Sequence, residues 1–206
     1  MARTGDDTKQ RIREAGVALL SAEGLSGVSL SALAERARMS KSGLFAHYRS
    51  KDDLQIDLLL ASTEISARVV VAPAMSAAPG LPRLEAIFGL WCGWSRRAGL
   101  PGGCPIAAAL FELDDLSGPV RQTVVDLEAR WRGLLAGFVR GAIAAGHLPE
   151  ALDVDQVVWE MTGIYLAHHA AMRLVRAADA DDRAQAAFSR LIAWAADGQK
   201  TQKTRK

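Results

Sequence analysis

Cysteine is almost absent from this chain, with Cys92 and Cys104 the only two thiols in 206 residues. That rules out a disulfide-stapled scaffold and fits a reducing compartment. Also missing is any run of about 18 apolar residues, because Arg, Glu, Asp, Gly or Pro interrupts each long stretch, so no membrane helix is expected. The opening residues, Met-Ala-Arg-Thr-Gly-Asp-Asp-Thr, hold no apolar segment of a secretory leader, and the expected location is cytoplasmic. There is no period-two alternation that would signal a strand. There is no Ser/His/Asp set, no HExxH, no Gly-rich phosphate loop and no metal-ligand spacing. His168 and His169 are neighbours, so on a helix they point about 100° apart, and no third ligand follows one turn later. Neither an enzyme, nor a metal site, nor a cofactor is expected.

What is present is apolar content of 50 % with 23 % charge, enough to bury a substantial core. The charge is unevenly spread. Residues 1–51 carry nine Lys/Arg against five Asp/Glu, and residues 52–199 carry twelve against eighteen. A basic lobe on an acidic remainder points to a polyanion as partner of the first part only.

The periodicity is helical throughout, so the predicted fold class is all-α with about nine helices. Asp7 with Gln10 reads as a capping box before a helix over about Thr8–Glu23 that Gly24 ends. Ser29 caps a second helix, about Leu30–Ala37, and Ser40 a third, to about Tyr48. Ser50 with Asp53 opens a long fourth helix to about Val71. Pro73, Pro79, Gly80 and Pro82 mark a loop over 72–82. Further helices are predicted over Leu84–Arg97, Cys104–Leu113, Pro119–Ala145, Val154–Ala177 and Asp181–Ala196. Pro119 fits a first turn, and Gly146 a residue just past a helix end. The domains so read are 1–50, 51–197 and a basic, disordered tail over 198–206.

Helices two and three, joined by a three-residue turn and packed through Leu33, Ala37, Leu44 and Tyr48, have helix-turn-helix dimensions. Ser40, Lys41, Ser42 and Gly43 place hydroxyls, a cation and bare backbone on the first turn of the third helix. That is the turn a groove-inserted helix presents to DNA. The run Ser29-Leu-Ser-Ala-Leu-Ala-Glu-Arg-Ala-Arg-Met-Ser-Lys-Ser-Gly-Leu-Phe-Ala-His-Tyr-Arg-Ser-Lys-Asp-Asp-Leu54 closely resembles the TetR family of transcriptional regulators, over about Thr8–Leu60. Gly102-Gly103-Cys104-Pro105 is similar to a segment of some members.

The resemblance implies that Ser29 and Ser31 contact phosphate and that Lys41, Phe45, His47, Tyr48 and Lys51 lie near the DNA backbone. It implies that Ser40, Ser42, Gly43, Leu44 and Ala46 face or border the major groove. For Tyr48 a place in the core is the alternative. Arg38 stands where the family usually has Gly, and Phe45 where many members have Tyr. If the turn needs a positive φ at Arg38, that costs roughly 1 kcal/mol.

The resemblance further implies a homodimer through the last two long helices, an inverted-repeat operator on double-stranded DNA and a small-molecule effector bound by the C-terminal domain. The stripe Val157, Val158, Met161, Ile164, Tyr165, His168, Ala171 and Met172, with Phe188, Leu191, Ile192 and Ala195, is wide enough for such an interface, or for a helix buried within one subunit. Candidate effector-lining residues are Trp91, Trp94, Cys104, Phe111, Trp131, Phe138, Trp159 and Tyr165, an apolar set that favours a hydrophobic effector. Cys104 also fits a thiol sensor at a helix N-terminus, or a small buried residue. Glu112, Asp114 and Asp115 read as a solvated acidic run. The function expected is a ligand-responsive repressor, and the alternative is a ligand-binding protein of the same fold that acts through protein contacts.

Overall fold

The computed structural model describes the backbone of residues 3–202 and the side chains of residues 8–197. All regular elements among them are helical: α1 (Arg3–Gly27), α2 (Leu30–Arg36), α3 (Lys41–Phe45), α4 (Lys51–Ser66), α5 (Ala72–Ala74), α6 (Leu81–Trp91), α7 (Trp94–Arg97), α8 (Pro105–Glu112), α9 (Pro119–Ala144), α10 (Val154–Ala170) and α11 (Ala180–Gln202). Two π-helical turns, Ala67–Val71 and Ala171–Val175, follow α4 and α10.

The fold class is as expected, and several bounds differ: α3 ends at Phe45 rather than Tyr48, and α4 and α10 give way to π turns at Ala67 and Ala171. The stretch expected as one helix over 84–97 is cut at Cys92, whose ψ of 123° is extended, and at Gly93, whose φ is 69°. Pro82 sits in the first turn of α6, where its missing N–H costs nothing, so that helix starts at Leu81 rather than Leu84. Helix α1 starts at Arg3, which puts Asp7 inside it rather than at its cap; the Asp7 side chain lies outside the described residues. Gly24, with φ 71° and ψ −173°, breaks α1 where the sequence ended it. Helix α11 continues to Gln202, and the rest of the expected tail, 203–206, lies outside the described residues.

The chain forms two compact units that do not follow chain order. The first joins residues 1–66 with 95–128, so α4 and α8 pack with the helix-turn-helix rather than beyond a boundary near residue 50. Its core holds Ile12, Leu20, Leu33, Leu44, Leu54 and Leu58, all fully buried, each worth about 1.5–3 kcal/mol relative to exposure. Segment 102–104 docks on the end of α1. The Ser21 hydroxyl donates to the Gly103 carbonyl at 2.8 Å, and the Gly103 N–H donates to the Ser21 carbonyl at 3.1 Å. A Cβ on Gly102 would lie 1.8 Å from that carbonyl oxygen, so only glycine allows the approach. The Glu112 carboxylate accepts from the N–H groups of Leu25 (3.1 Å) and Ser26 (3.0 Å), just past the Gly24 break. It is thus a capping group for α1 rather than part of a solvated acidic run.

The second unit comprises residues 67–94 and 129–206. Helices α10 and α11 pack side by side, and the buried His168 Nε2 meets Asp181 Oδ1 at 2.7 Å between them. Phe88 stacks on Phe188 with ring centroids 4.0 Å apart, so α6 is fixed on α11.

Candidate nucleic-acid interface and effector unit

Local capping builds the helix-turn-helix. Ser29 Oγ accepts from the Ala32 N–H, Ser40 Oγ from the Gly43 N–H at 3.1 Å, and Ser50 Oγ from the Asp53 N–H at 3.0 Å. Each satisfies one of the orphan donors at a helix start. Between α2 and α3 the chain reverses through Arg38 at φ 53°, the left-handed region that glycine adopts without strain. The sequence expected this positive φ conditionally, and the turn does require it.

Leu33, Ala37, Leu44 and Tyr48 are buried beneath this motif. Above them Ser31, Ser40, Lys41, Ser42, Phe45, Ala46, His47 and Lys51 are exposed, and Gly43 is half-buried under the Ser40 cap. Phe45 is 55 % exposed, a bare ring on a cationic, hydroxyl-bearing surface. Arg36, Arg38 and Arg49 are exposed on the same segment and extend its positive charge. Arg36 and Arg49 are missing from the sequence-derived set, although the local basic count was a signal for them.

Two expected groove or phosphate contacts are corrected. Leu44 is 0 % exposed, because it is the apolar anchor that holds α3 on the core. Tyr48 is 4 % exposed, and its hydroxyl donates inward to Asp57 Oδ2 at 2.8 Å. Burial, then the bond to Asp57, raises the pKa of this phenol above its usual value.

The expected effector residues fall into three groups. Trp91, Trp94, Trp131 and Tyr165 come together in the second unit. Trp91 stacks on Tyr165 at 3.9 Å and tilts against Trp131 at 5.1 Å, while Trp94 Nε1 donates to the Tyr165 hydroxyl at 3.1 Å. The buried Trp131 Nε1 has no hydrogen-bond partner among the described residues. Phe138 stands apart from them, beside a groove of about 340 Å³ lined also by Met75, Pro79, Arg83 and Leu134. Gly133, Gly137 and Gly141, about one turn apart on α9, also line it.

The remaining three are corrected. Phe111 is 65 % and Trp159 63 % exposed, so neither ring lines a closed cavity of the chain. Cys104 belongs to the first unit, where it is buried and its Sγ caps α8 by accepting from the Ala107 N–H at 3.5 Å. Its thiol is a structural cap.

The predicted dimer stripe is also reassigned. Val157, Val158, Met161, Tyr165, His168, Phe188, Leu191, Ile192 and Ala195 are buried within the single chain, and Ile164, Ala171 and Met172 are half-buried. A different face is exposed: Trp159, Gly163, Ala167 and Ala170 on α10, Leu174 in the π turn, and Ala186, Ala193 and Trp194 on α11. Leu174 is 84 % and Trp194 55 % exposed, a sizeable apolar surface for an isolated chain.

A family model described as bacterial regulatory proteins, tetR family, matches residues 12–58, and one described as tetracyclin repressor-like, C-terminal domain, matches residues 80–188. No curated protein sequence matches the chain. Among solved structures, a TetR-family transcriptional regulator from Cytophaga hutchinsonii superposes with a TM-score of 0.81 at 19 % identity, over 93 % of this chain and 96 % of the other. AibR, solved with isovaleryl coenzyme A and operator DNA, gives 0.70 at 19 %, over 90 % and 98 %. FadR from Bacillus subtilis, solved with stearoyl-CoA, gives 0.70 at 16 %, over 89 % and 97 %. At these identities the likeness is one of fold. Among the described residues no helix is long and apolar enough to cross a membrane.

Proposed function

The chain belongs to the tetR family of bacterial regulatory proteins, and from that premise we propose that it is a ligand-responsive transcriptional repressor. It binds an inverted-repeat operator as a homodimer and leaves it when a small hydrophobic molecule binds the helical C-terminal region. The observation that carries this reading is the exposed cationic and hydroxyl face of α2 and α3 over a buried apolar anchor, Leu44. Lys41, His47, Lys51, Ser29 and Ser31, joined by Arg36, Arg38 and Arg49, take phosphates. Ser40, Ser42, Gly43 and Ala46 meet the groove, and Phe45 lies near the DNA backbone. Few of these side chains make bidentate base contacts, so DNA shape carries part of the specificity.

The homodimer forms through the exposed face of α10 and α11 around Trp159 and Trp194. Two-fold symmetry then sets half-sites about 34–36 Å apart, or at a longer near-integral spacing. Two fold neighbours carry isovaleryl coenzyme A and stearoyl-CoA in their structures. The apolar groove along α9 and the stacked rings around Trp91 support an effector with an apolar part. Such a ligand weakens operator binding by its differential affinity for two conformers, typically 1–3 kcal/mol.

The test is selection of bound fragments from sheared genomic DNA by the purified chain. Recovered fragments should share an inverted repeat, and log K should fall linearly with log salt. Failure to select any sequence refutes the proposal. The second reading, regulation through protein contact, is favoured by one observation, the exposed Phe45 ring without a phosphate-binding hydroxyl. Unchanged regulation in cells after Lys41→Ala with His47→Ala would support it.

A further inference from the structure

Helix α3 is only five residues long, and Leu44 is its one buried side chain. A single apolar knob resists withdrawal from the core but does little to stop rotation about itself. The cap at Ser40 holds the helix start. The other end is held by Tyr48, three residues past Phe45, through a chain of polar contacts across three segments of the first unit. The Tyr48 hydroxyl donates to Asp57 Oδ2 of α4 at 2.8 Å. Asp57 Oδ1 lies 3.4 Å from Nε of Arg13 on α1, an ion pair in which that nitrogen makes no hydrogen bond. The two terminal nitrogens of Arg13 donate to the Glu64 carboxylate at 3.0 and 2.7 Å, a bidentate fork that fixes the guanidinium plane.

A phenylalanine at position 48 would fill the same space. The hydroxyl adds direction, because a hydrogen bond to a carboxylate weakens steeply with misalignment, whereas apolar contact tolerates sliding. The carboxylate faces a guanidinium that Glu64 holds in place, so charge attraction limits where the acceptor sits.

We infer that Tyr48, Asp57 and Arg13 are positioning residues that fix the angle of α3 against α1 and α4, and so set discrimination between operator and other DNA without touching DNA. The inference rests on the DNA-binding reading above. Phosphate contacts made by long Lys and Arg side chains survive a small rotation of α3, because the attraction is long-ranged and sequence-independent. Base-edge contacts do not, since each needs hydrogen-bond geometry. The chain should therefore control the ratio of specific to non-specific binding.

The experiment uses the full chain, its selected operator and an unrelated duplex of equal length, at a temperature where thermal melts show each variant folded. Tyr48→Phe should lose about tenfold in operator affinity, the size of one hydrogen bond to a charged group. Its affinity for unrelated DNA and its salt slope should not change. Asp57→Ala, which removes the acceptor, should lower the ratio likewise, and the double variant should lose little more than either single one, since both break the same link. Arg13→Lys, which keeps the charge but loses the fork, supplies the same readout if Tyr48→Phe does not fold. A ratio equal to that of the parent chain, or an equal fall in both affinities, overturns the inference. A parent chain that selects no DNA overturns the DNA-binding reading as well, and a selective parent beside unchanged variants overturns this inference alone.

Discussion

The helix-turn-helix and the α10–α11 pair differ in what they leave outside. From Leu30 to Lys51, Phe45 is the one large apolar side chain that is exposed, and apart from Ala46 the other exposed side chains carry hydroxyl, imidazole or charge. The α10–α11 region exposes Trp159, Leu174, Val175 and Trp194. A polar, cationic surface is stable in water and waits for a polyanion. An apolar one gains by being covered, so it points to a protein surface. This contrast supports the two partners proposed, DNA and a second copy of the chain.

The sharpest way to break the contrast is to charge the apolar face. Trp194→Asp should turn the dimer into a monomer in sedimentation experiments. It should lower operator affinity by about a hundredfold or more, because two linked half-site contacts become one. A variant that stays dimeric would mean that this face is not the interface. On the helix-turn-helix side the largest change is Leu44→Ala. It should cost about 2–5 kcal/mol in denaturant unfolding, because it empties the only apolar anchor of α3. A cost near zero would mean that α3 is held mainly from outside the core.

Acid should act on the α10–α11 side. Burial first, then Arg173 and His168, lower the His169 pKa from 6.5 to about 4. The unfolded chain therefore takes up this proton first as pH falls. The associated stability is complete above about pH 6.5 and is lost between there and pH 4, up to roughly 3 kcal/mol and less for a ring that is partly exposed. His169→Gln should flatten that limb of the stability profile, and an unchanged limb would place the acid sensitivity elsewhere. The smallest effect is expected in the helix-turn-helix turn. Arg38→Gly should relieve the strain of φ 53° and raise stability by about 1 kcal/mol, while removing a cation from the DNA face and weakening binding to all DNA alike. A rise in stability without loss of affinity would show that Arg38 takes no phosphate.

The contrast also explains what could be read in advance. Ser29, Ser40 and Ser50 stand at helix starts in the sequence and in the structure, Gly146 stands past the end of α9 with φ 73°, and Arg38 occupies the turn as expected. Each is a contact between a residue and backbone within four positions, so local pattern is enough. Tyr48 was ambiguous because its partner, Asp57, lies on another helix. Cys104 and Phe111 were grouped with the tryptophans because all are apolar residues at helical spacing. Which unit a helix joins depends on packing that spacing does not encode.

The sequence by itself determined the all-helical class, where most of those helices start, and that its first sixty residues carry a DNA-binding motif. The reason is that caps, breakers and a 3.6-residue period are short-range properties. Tertiary structure alone decided which side of α10 and α11 is core and which is free. Both helices carry apolar residues on more than one side, and a helix cannot rank its own faces. Stacking of Tyr165 on Trp91 and of Phe188 on Phe88 of α6, with the His168–Asp181 pair between the two helices, turned those faces inward and left Trp159 and Trp194 out.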